Sequence, residues 1–216
     1  FVEHPDDIAG IIVEPVQGEG GDNHFRPEFL QAVQQRARQN DAFFIVDEVQ
    51  TGVGLTGRMW AHEHFGLEPD ALAFGKKSQV CGFMAGPRVD EEPENVFKVS
   101  SRINSTWGGG LTDMVRFGRF LEILHEERLV DNARVVGDRL LDGLRTLEGE
   151  MGGVLSNARG RGLMVAFDLP TPELRQKAHE RLLANGLLLL TCGVKSIRFR
   201  PPLNLTAAEA DMGLDA

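Results

Sequence analysis

Two stretches decide the fold: Ala42-Phe-Phe-Ile-Val-Asp47-Glu48-Val49-Gln50-Thr-Gly52 and Asp70-Ala-Leu-Ala-Phe-Gly75-Lys76-Lys77. Each is a short apolar run of strand-like composition that ends abruptly in charged groups. That is the pattern of buried parallel strands whose carboxyl ends open into a ligand crevice. Lys76 follows Asp47 by 29 residues, about the length of one β-α-β crossover, so a carboxylate and an amine are expected in one crevice. An acid facing an amine there points to cofactor chemistry.

Upstream, residues 9–14 read as a buried strand, followed by the glycine-rich Gly18-Glu-Gly-Gly21. Pro27 suits a first helical position, Leu30, Val33 and Ala37 make an inner face, and Asn40 ends that helix. Residues 56–65 are expected to form a short helix and residues 82–86 another strand. The order β-α-β-α-β implies an α/β fold with a mostly parallel sheet. From Thr112 the pattern changes. Met114, Phe117, Leu121 and Leu124 recur at helical spacing, and Asp131 is expected to cap a second helix carrying Val136, Leu140, Leu144 and Leu147. Residues 163–169 read as a strand, Thr171-Pro-Glu173 opens a helix that Gly186 stops, and residues 187–191 and 196–200 read as two more strands. A boundary near residue 128 would divide a mostly parallel unit, 1–128, from a smaller α+β unit, 129–216.

Bulk properties narrow the function. The 216 residues carry 23 basic and 32 acidic side chains, a formal charge of −9, with the charges interspersed. This argues against nucleic acid or an anionic membrane as partner. The longest apolar run, around Leu187 to Leu190, is far short of the ~20 residues that span a bilayer, and no signal peptide opens the sequence, so a cytoplasmic protein is expected. Cys81 and Cys192 form neither a disulfide framework nor a zinc motif and read as buried free thiols. The sequence begins at Phe1, with little ahead of its first strand, which reads as a fragment.

Six blocks carry a family resemblance: Ile12-Val-Glu-Pro-Val-Gln-Gly-Glu-Gly-Gly21, Val46-Asp-Glu-Val-Gln-Thr-Gly52, Phe74-Gly-Lys-Lys-Ser-Gln-Val-Cys-Gly82, Asn104-Ser-Thr-Trp-Gly-Gly109, Arg159-Gly-Arg-Gly-Leu163 and Arg198-Phe-Arg-Pro-Pro-Leu203. In order and content they resemble the class III (ω-amino acid) aminotransferases, fold type I enzymes of pyridoxal 5'-phosphate. The resemblance implies that residues 1–128 are the later part of a cofactor-binding large domain and residues 129–216 a small C-terminal domain. It implies that Lys76 binds the cofactor covalently, as a partly desolvated amine with lowered pKa that serves as nucleophile and proton shuttle. Lys77 is the adjacent alternative, and the glycine before Lys76 fits the family register. By the same resemblance Asp47 pairs with the ring nitrogen, Val49 lies on a ring face, and Gln50 reaches the phenolic oxygen, while Glu48 is structural. Thr106 matches a threonine that crosses a homodimer interface to the partner subunit's cofactor phosphate, and Asn104 is expected at the substrate. The family continues with Asn where this chain has Gly110. Arg198 matches the arginine that grips the α-carboxylate of 2-oxoglutarate in a two-pronged bond, Glu19 the glutamate that covers it while an ω-amine is bound, and Arg200 reads as a bystander.

For the donor, Ser78-Gln-Val-Cys-Gly82, Gly108-Gly109 and Leu111-Thr-Asp-Met-Val-Arg116 resemble members that take the ε-amine of L-lysine in lysine catabolism. Gly20-Gly-Asp-Asn-His24, Trp60-Ala-His-Glu-His64 and Lys195-Ser-Ile-Arg-Phe-Arg200 are shared with members that take 4-aminobutyrate. A third possibility is an inactive fragment, since the family's N-terminal half supplies the phosphate-gripping loop and the aromatic that stacks on the ring. Three other patterns lead nowhere. Gly52-Val-Gly-Leu-Thr-Gly57 follows a strand, but Asp47 and Glu48 would set two negative charges at a pyrophosphate site. No phosphate-binding G-x-x-x-x-G-K-[ST] accompanies the apolar run ending at Asp47-Glu48. His62 and His64, two apart, do not face one ligand on a helix, and no metal site is expected.

Overall fold

A computed structural model of the chain describes residues 1–103 and 106–216. Its first part contains β1 (Gly10–Val13), the two-residue strands β2 (Val16–Gln17) and β3 (Asn23–His24), α1 (Pro27–Gln39), β4 (Phe43–Asp47), β5 (Ala71–Phe74) and β6 (Gly82–Ala85). Two helices, α2 (Leu111–Glu126) and α3 (Leu129–Glu150), lead to β7 (Ser156–Arg161), β8 (Met164–Asp168), α4 (Pro172–Ala184), β9 (Leu190–Cys192), β10 (Ser196–Phe199) and α5 (Ala207–Asp215). The first sheet has the order β1-β4-β5-β6, with β1, β4 and β5 parallel and β6 antiparallel. The second, β7-β8-β10-β9, is antiparallel throughout. The fold is therefore α/β, with a mixed first sheet. Only seven residues separate β5 from β6, too few for the crossover a parallel neighbour requires.

Local sequence explains most elements. α1 starts with Pro27 at its first turn and stops at Asn40, and it buries Leu30 and Ala37 against the sheet. On β4, Phe44 and Val46 are fully buried. By contrast β1, expected to be buried, pairs only with β4 among the described residues, and Ile12 is 63% exposed. The expected helix over residues 56–65 shrinks to a 3-10 turn, Ala61–Phe65. Gly54 and Gly57 hold positive φ and keep the preceding stretch in turns. Asp131 does not cap α3. The N-cap is Arg128, in the left-handed region, and Asp131 pairs with it from the first turn at 3.1 Å. α4 does begin at Thr171, whose hydroxyl accepts from the Leu174 N–H.

One apolar cluster joins both sheets. Phe44, Val46 and Leu55 from the first part share it with Leu140 and Leu144 of α3 and with Leu163 and Ile197 of the second. α3 approaches the β7–β8 turn so closely that a Cβ on Gly137 would lie 2.0 Å from the Gly162 carbonyl carbon. The Leu163 N–H reaches the Leu55 carbonyl at 2.9 Å, tying the glycine-rich turns to the second sheet. No described helix is long and apolar enough to cross a membrane.

Candidate active site

The site is assembled at the carboxyl ends of β4 and β5. Asp47 is the last residue of β4 and the Cα partner of Ala73, and the next N–H, that of Glu48, donates to the Ala73 carbonyl at 2.9 Å. Three residues past Ala73 the chain reaches Lys76, which sits at φ +52°, a left-handed conformation costing a non-glycine residue about 1–2 kcal/mol. Such strain, placed where a reactive group is presented, is a mark of functional sites. A Cβ on Gly75 would meet Cys81 Sγ at 3.1 Å and Val49 Cγ1 at 3.6 Å, which puts the Val49 side chain against the residue before Lys76. Asp47 Oδ1 accepts from the Val49 N–H at 3.0 Å, leaving its second oxygen without a partner among the described residues.

The two lysines differ from the expectation. Lys76 is exposed rather than desolvated. The desolvated amine is that of Lys77, whose Nζ donates to the Pro201 carbonyl at 2.6 Å and whose pKa is pushed down by burial and by the charge of Arg200. Lys77 is thus committed to the turn after β10, whereas Lys76 Nζ has no acceptor among the described residues. Both line a cleft of about 450 Å³ with Phe120 and Ile123 of α2 and Leu203. Glu48 takes a structural place. It is fully buried and accepts from Thr51 Oγ1 at 2.5 Å, from the N–H groups of Ala61 and His62 at 2.9 and 2.8 Å, and lies 3.0 Å from His62 Nδ1.

Gln50 extends the site toward the second sheet, its Oε1 accepting from Arg198 Nη1 at 3.4 Å. Arg198 stands on β10, its side chain 7% exposed, and its Nη2 donates to Glu19 Oε2 at 2.5 Å. Glu19 lies on the glycine-rich loop and its side chain is 75% exposed. Contacts thus run from Gln50 to Arg198 and Glu19, while Asp47 and Val49 precede Gln50 at the end of β4 and Lys76 follows β5 at the neighbouring strand end, making one candidate group. Thr106 is exposed and stands outside it, and Asn104 lies outside the described residues.

Further charged groups, outside the sequence candidates, lie behind Arg198. Asp22, fully buried, accepts from Arg200 Nη2 at 2.6 Å, and its Oδ1 is 3.8 Å from Arg198 Nη1. Burial raises the pKa of Asp22, against the pull of Arg200, Arg198 and Arg159. Arg200 is therefore a buried partner rather than a bystander. Arg159 donates to the carbonyls of Gly21 and Asp22 at 2.6 and 2.9 Å and pairs with Asp168 at 2.9 Å. Burial of Asp168 works against ionisation, but bonds from Ser196 and Asn157 and the charge of Arg159 bring its pKa below the usual range. Cys192 is buried and its thiol is pushed up to about 11 by desolvation, while Cys81, expected to be buried, is exposed. The available signal was a pair of charged residues, Asp22 and Arg159, inside glycine-rich blocks that pack on each other.

The class III aminotransferase family model matches residues 2–216. This chain belongs to the class III aminotransferases. It is 53% identical over 210 residues to an L-lysine-epsilon aminotransferase of Amycolatopsis lactamdurans, covering 97% of this chain and 47% of that protein. Human mitochondrial 4-aminobutyrate aminotransferase is 40% identical over 198 residues, covering 91% of this chain and 38% of the relative. The solved lysine aminotransferase of Mycobacterium tuberculosis in its internal aldimine form superposes with a TM-score of 0.97 at 49% identity, covering all of this chain and 49% of that one. Three more M. tuberculosis structures at the same score and identity are variants altered at an asparagine, a threonine and a glutamate. This class III chain spans about half the length of the relatives it matches.

The residues present fit pyridoxal phosphate. A ring needs an unengaged amine, a carboxylate for its nitrogen, an apolar face and a donor for its phenolic oxygen. Lys76 Nζ, past the end of β5, and the unpartnered oxygen of Asp47, the Val49 side chain and the Gln50 amide nitrogen, at the end of β4, could supply these.

Proposed function

We propose that this chain forms the lysine-bearing and acceptor-binding part of an L-lysine 6-aminotransferase. The reaction would transfer the ε-amino group of L-lysine to 2-oxoglutarate with pyridoxal 5'-phosphate as cofactor, giving 2-aminoadipate 6-semialdehyde and glutamate. The observation that carries the reading is the placement of Asp47 and Lys76 at neighbouring parallel strand ends together with the Gln50–Arg198–Glu19 contacts. L-lysine is favoured over 4-aminobutyrate because relatives named for lysine are 50–53% identical and those named for 4-aminobutyrate 38–40%. The altered positions in the M. tuberculosis variants support the site residues. Their glutamate-to-asparagine interval is 85 and their asparagine-to-threonine interval 2, the same as from Glu19 to Asn104 and from Asn104 to Thr106.

When bound, the cofactor withdraws electrons from the substrate carbon next to its nitrogen, so that this carbon releases a proton. Asp47 would keep the ring nitrogen protonated, since a carboxylate beside it stabilises the charged form. Lys76 Nζ would take up the proton released at the substrate carbon and later give it back, as a positioned general base and then acid. Gln50 would donate to the phenolic oxygen and Val49 would bear on the ring face. With L-lysine bound by its ε-end, Glu19 neutralises Arg198. With 2-oxoglutarate, Glu19 swings into solvent and the guanidinium fork takes the α-carboxylate.

The working form is a homodimer with shared sites. Phe97, Trp107, Leu111 and Val115 are 56%, 87%, 83% and 74% exposed, apolar surface of the kind that marks an interface. Thr106, in the same segment, would serve the partner subunit's cofactor phosphate, with Asn104 near the substrate. Residues 1–128 and 129–216 would be the large-domain part and the small domain. Two unpaired thiols favour the cytoplasm.

The chain's span, half that of its relatives, favours one second reading: a fragment that does not turn over by itself. A spectrum of the purified protein with pyridoxal phosphate separates the two. The reading requires a protein-bound cofactor band that borohydride abolishes and that Lys76→Ala lacks. It further requires glutamate formation from L-lysine and 2-oxoglutarate. A band absent from the wild type supports the fragment, and faster turnover of 4-aminobutyrate overturns the donor.

A further inference from the structure

Behind Arg198 lies a second carboxylate with no part in the chemistry above. Three guanidinium groups, Arg159, Arg198 and Arg200, face three carboxylates, Glu19, Asp22 and Asp168, with Lys195 at the rim 3.9 Å from Asp168. Of the acids that face Arg198, Glu19 is exposed and Asp22 is fully buried. The backbone carrying both is fixed. The Asp22 N–H donates to the Gly18 carbonyl at 3.0 Å, the Glu19 carbonyl accepts from the Gly193 N–H at 2.9 Å, and Arg159 holds the carbonyls of Gly21 and Asp22. The freedom in this corner therefore belongs to the Glu19 side chain.

When Glu19 leaves, Arg198 keeps two neighbours, the neutral oxygen of Gln50 and the anion of Asp22. The Nε of Arg198 and the Oδ2 of Asp22 are buried without partners, so neither group is saturated by the other contacts. A buried guanidinium with no fixed counter-charge would cling to Glu19, because the alternative is an uncompensated ion in a low-dielectric corner. A fixed anion on its inner side shares that charge and weakens the hold of the gate. On the transaminase reading above, we propose that Asp22 is a positioning residue for the acceptor half of the reaction, anchoring Arg198 from behind so that Glu19 can give way to the dicarboxylate. The amine half does not require Glu19 to move and is independent of Asp22.

The test uses the native protein that carries this chain. For Asp22→Asn, the KM for 2-oxoglutarate should rise about tenfold while the single-turnover rate with L-lysine stays within twofold of wild type. Asp22→Asn with Arg200→Gln removes both members of the inner pair, so that no unpaired Arg200 is left buried, and should show the same split. Adding Glu19→Gln to Asp22→Asn removes the competitor for Arg198 and should restore most of the acceptor affinity. Glutarate binding by calorimetry on cofactor-free protein gives a readout apart from turnover, with about tenfold weaker binding expected for Asp22→Asn. Equal loss in both half-reactions, no change in either, failure of Glu19→Gln to restore affinity, or no binding of glutarate by the wild type would overturn the proposal. A wild type that binds glutarate but does not transaminate L-lysine removes the proposed function alone, and the glutarate comparison then still decides the role of Asp22.

Discussion

Lys76 and Lys77 are adjacent in sequence and opposite in circumstance: one amine is unengaged on a left-handed residue, the other is held by the Pro201 carbonyl. Lys77→Met should therefore leave the borohydride-sensitive band intact and loosen the seating of the 201–203 turn, in contrast to Lys76→Ala. A second residue-scale effect concerns acid. Burial lowers the pKa of His24 to about 3, with the nearby charges of Arg161, Arg159 and Arg200 adding to it, and burial also lowers that of His64. Both are folded in the neutral form. A depressed folded-state pKa contributes stability that is present above the unfolded value of about 6.5 and is lost as pH falls through the window below it, by up to ~1.4 kcal/mol per pH unit for each group. Asp22, with a raised pKa, acts in the opposite sense, its contribution being present below its unfolded value and lost as pH rises. The urea midpoint should fall between pH 6.5 and 4, and His24→Leu should flatten that slope. The catalytic candidates were legible because each terminates an apolar run or sits in a family block. Asp22 and Arg159 were not, because their partners lie 178 and 137 or more residues away in sequence, at Arg200 and on the 21–22 loop.

At the scale of elements, α1, α2, β4 and α4 followed from apolar periodicity and from Pro27 and Thr171 at helix starts. The misses have physical causes. Ser156-Asn-Ala-Arg-Gly-Arg161 has almost no apolar residue, and it is a strand because β8, all five residues buried, supplies the partner; a register shift between Ser156 and Arg159 marks the irregular pairing. α5 was announced only by the reciprocal Thr206 and Glu209 cap, at 3.2 and 2.8 Å, before a short and weakly patterned run. The contact of α3 with the β7–β8 turn gives a paired test within one helix. Gly137→Ala would force a methyl into the Gly162 backbone and should destabilise by about 3 kcal/mol or more. Gly149→Ala, with nothing within 4 Å, should stabilise by about 0.5–1 kcal/mol. Thermal melts of the two variants moving in the same direction would contradict the packing described for α3.

For the whole molecule, the two sheets share one apolar cluster and their parts are cross-connected by polar contacts at Pro201 and Gly21, where Lys77 and Arg159 donate. The candidate site depends on that union, since Asp47 and Lys76 stand at strand ends of the first sheet and Arg198 on the second. The exposed segment around Trp107 and Leu111 belongs to this scale too. Sedimentation should show a dimer, and Leu111→Asp together with Trp107→Ser should shift it to monomer while leaving the far-ultraviolet dichroism unchanged. A dimer that persists in the double variant would place the interface elsewhere.

β1 carries a practical consequence. Among the described residues Gly10-Ile-Ile-Val13 has no strand beside its outer backbone N–H and C=O groups, Ile12 faces solvent, and no proline or lysine lies within the strand. An unguarded β-branched strand is a template for cross-β stacking. A preparation of these 216 residues by themselves would therefore lose material to fibrils at high concentration, and a single lysine in place of Ile12 would blunt that route.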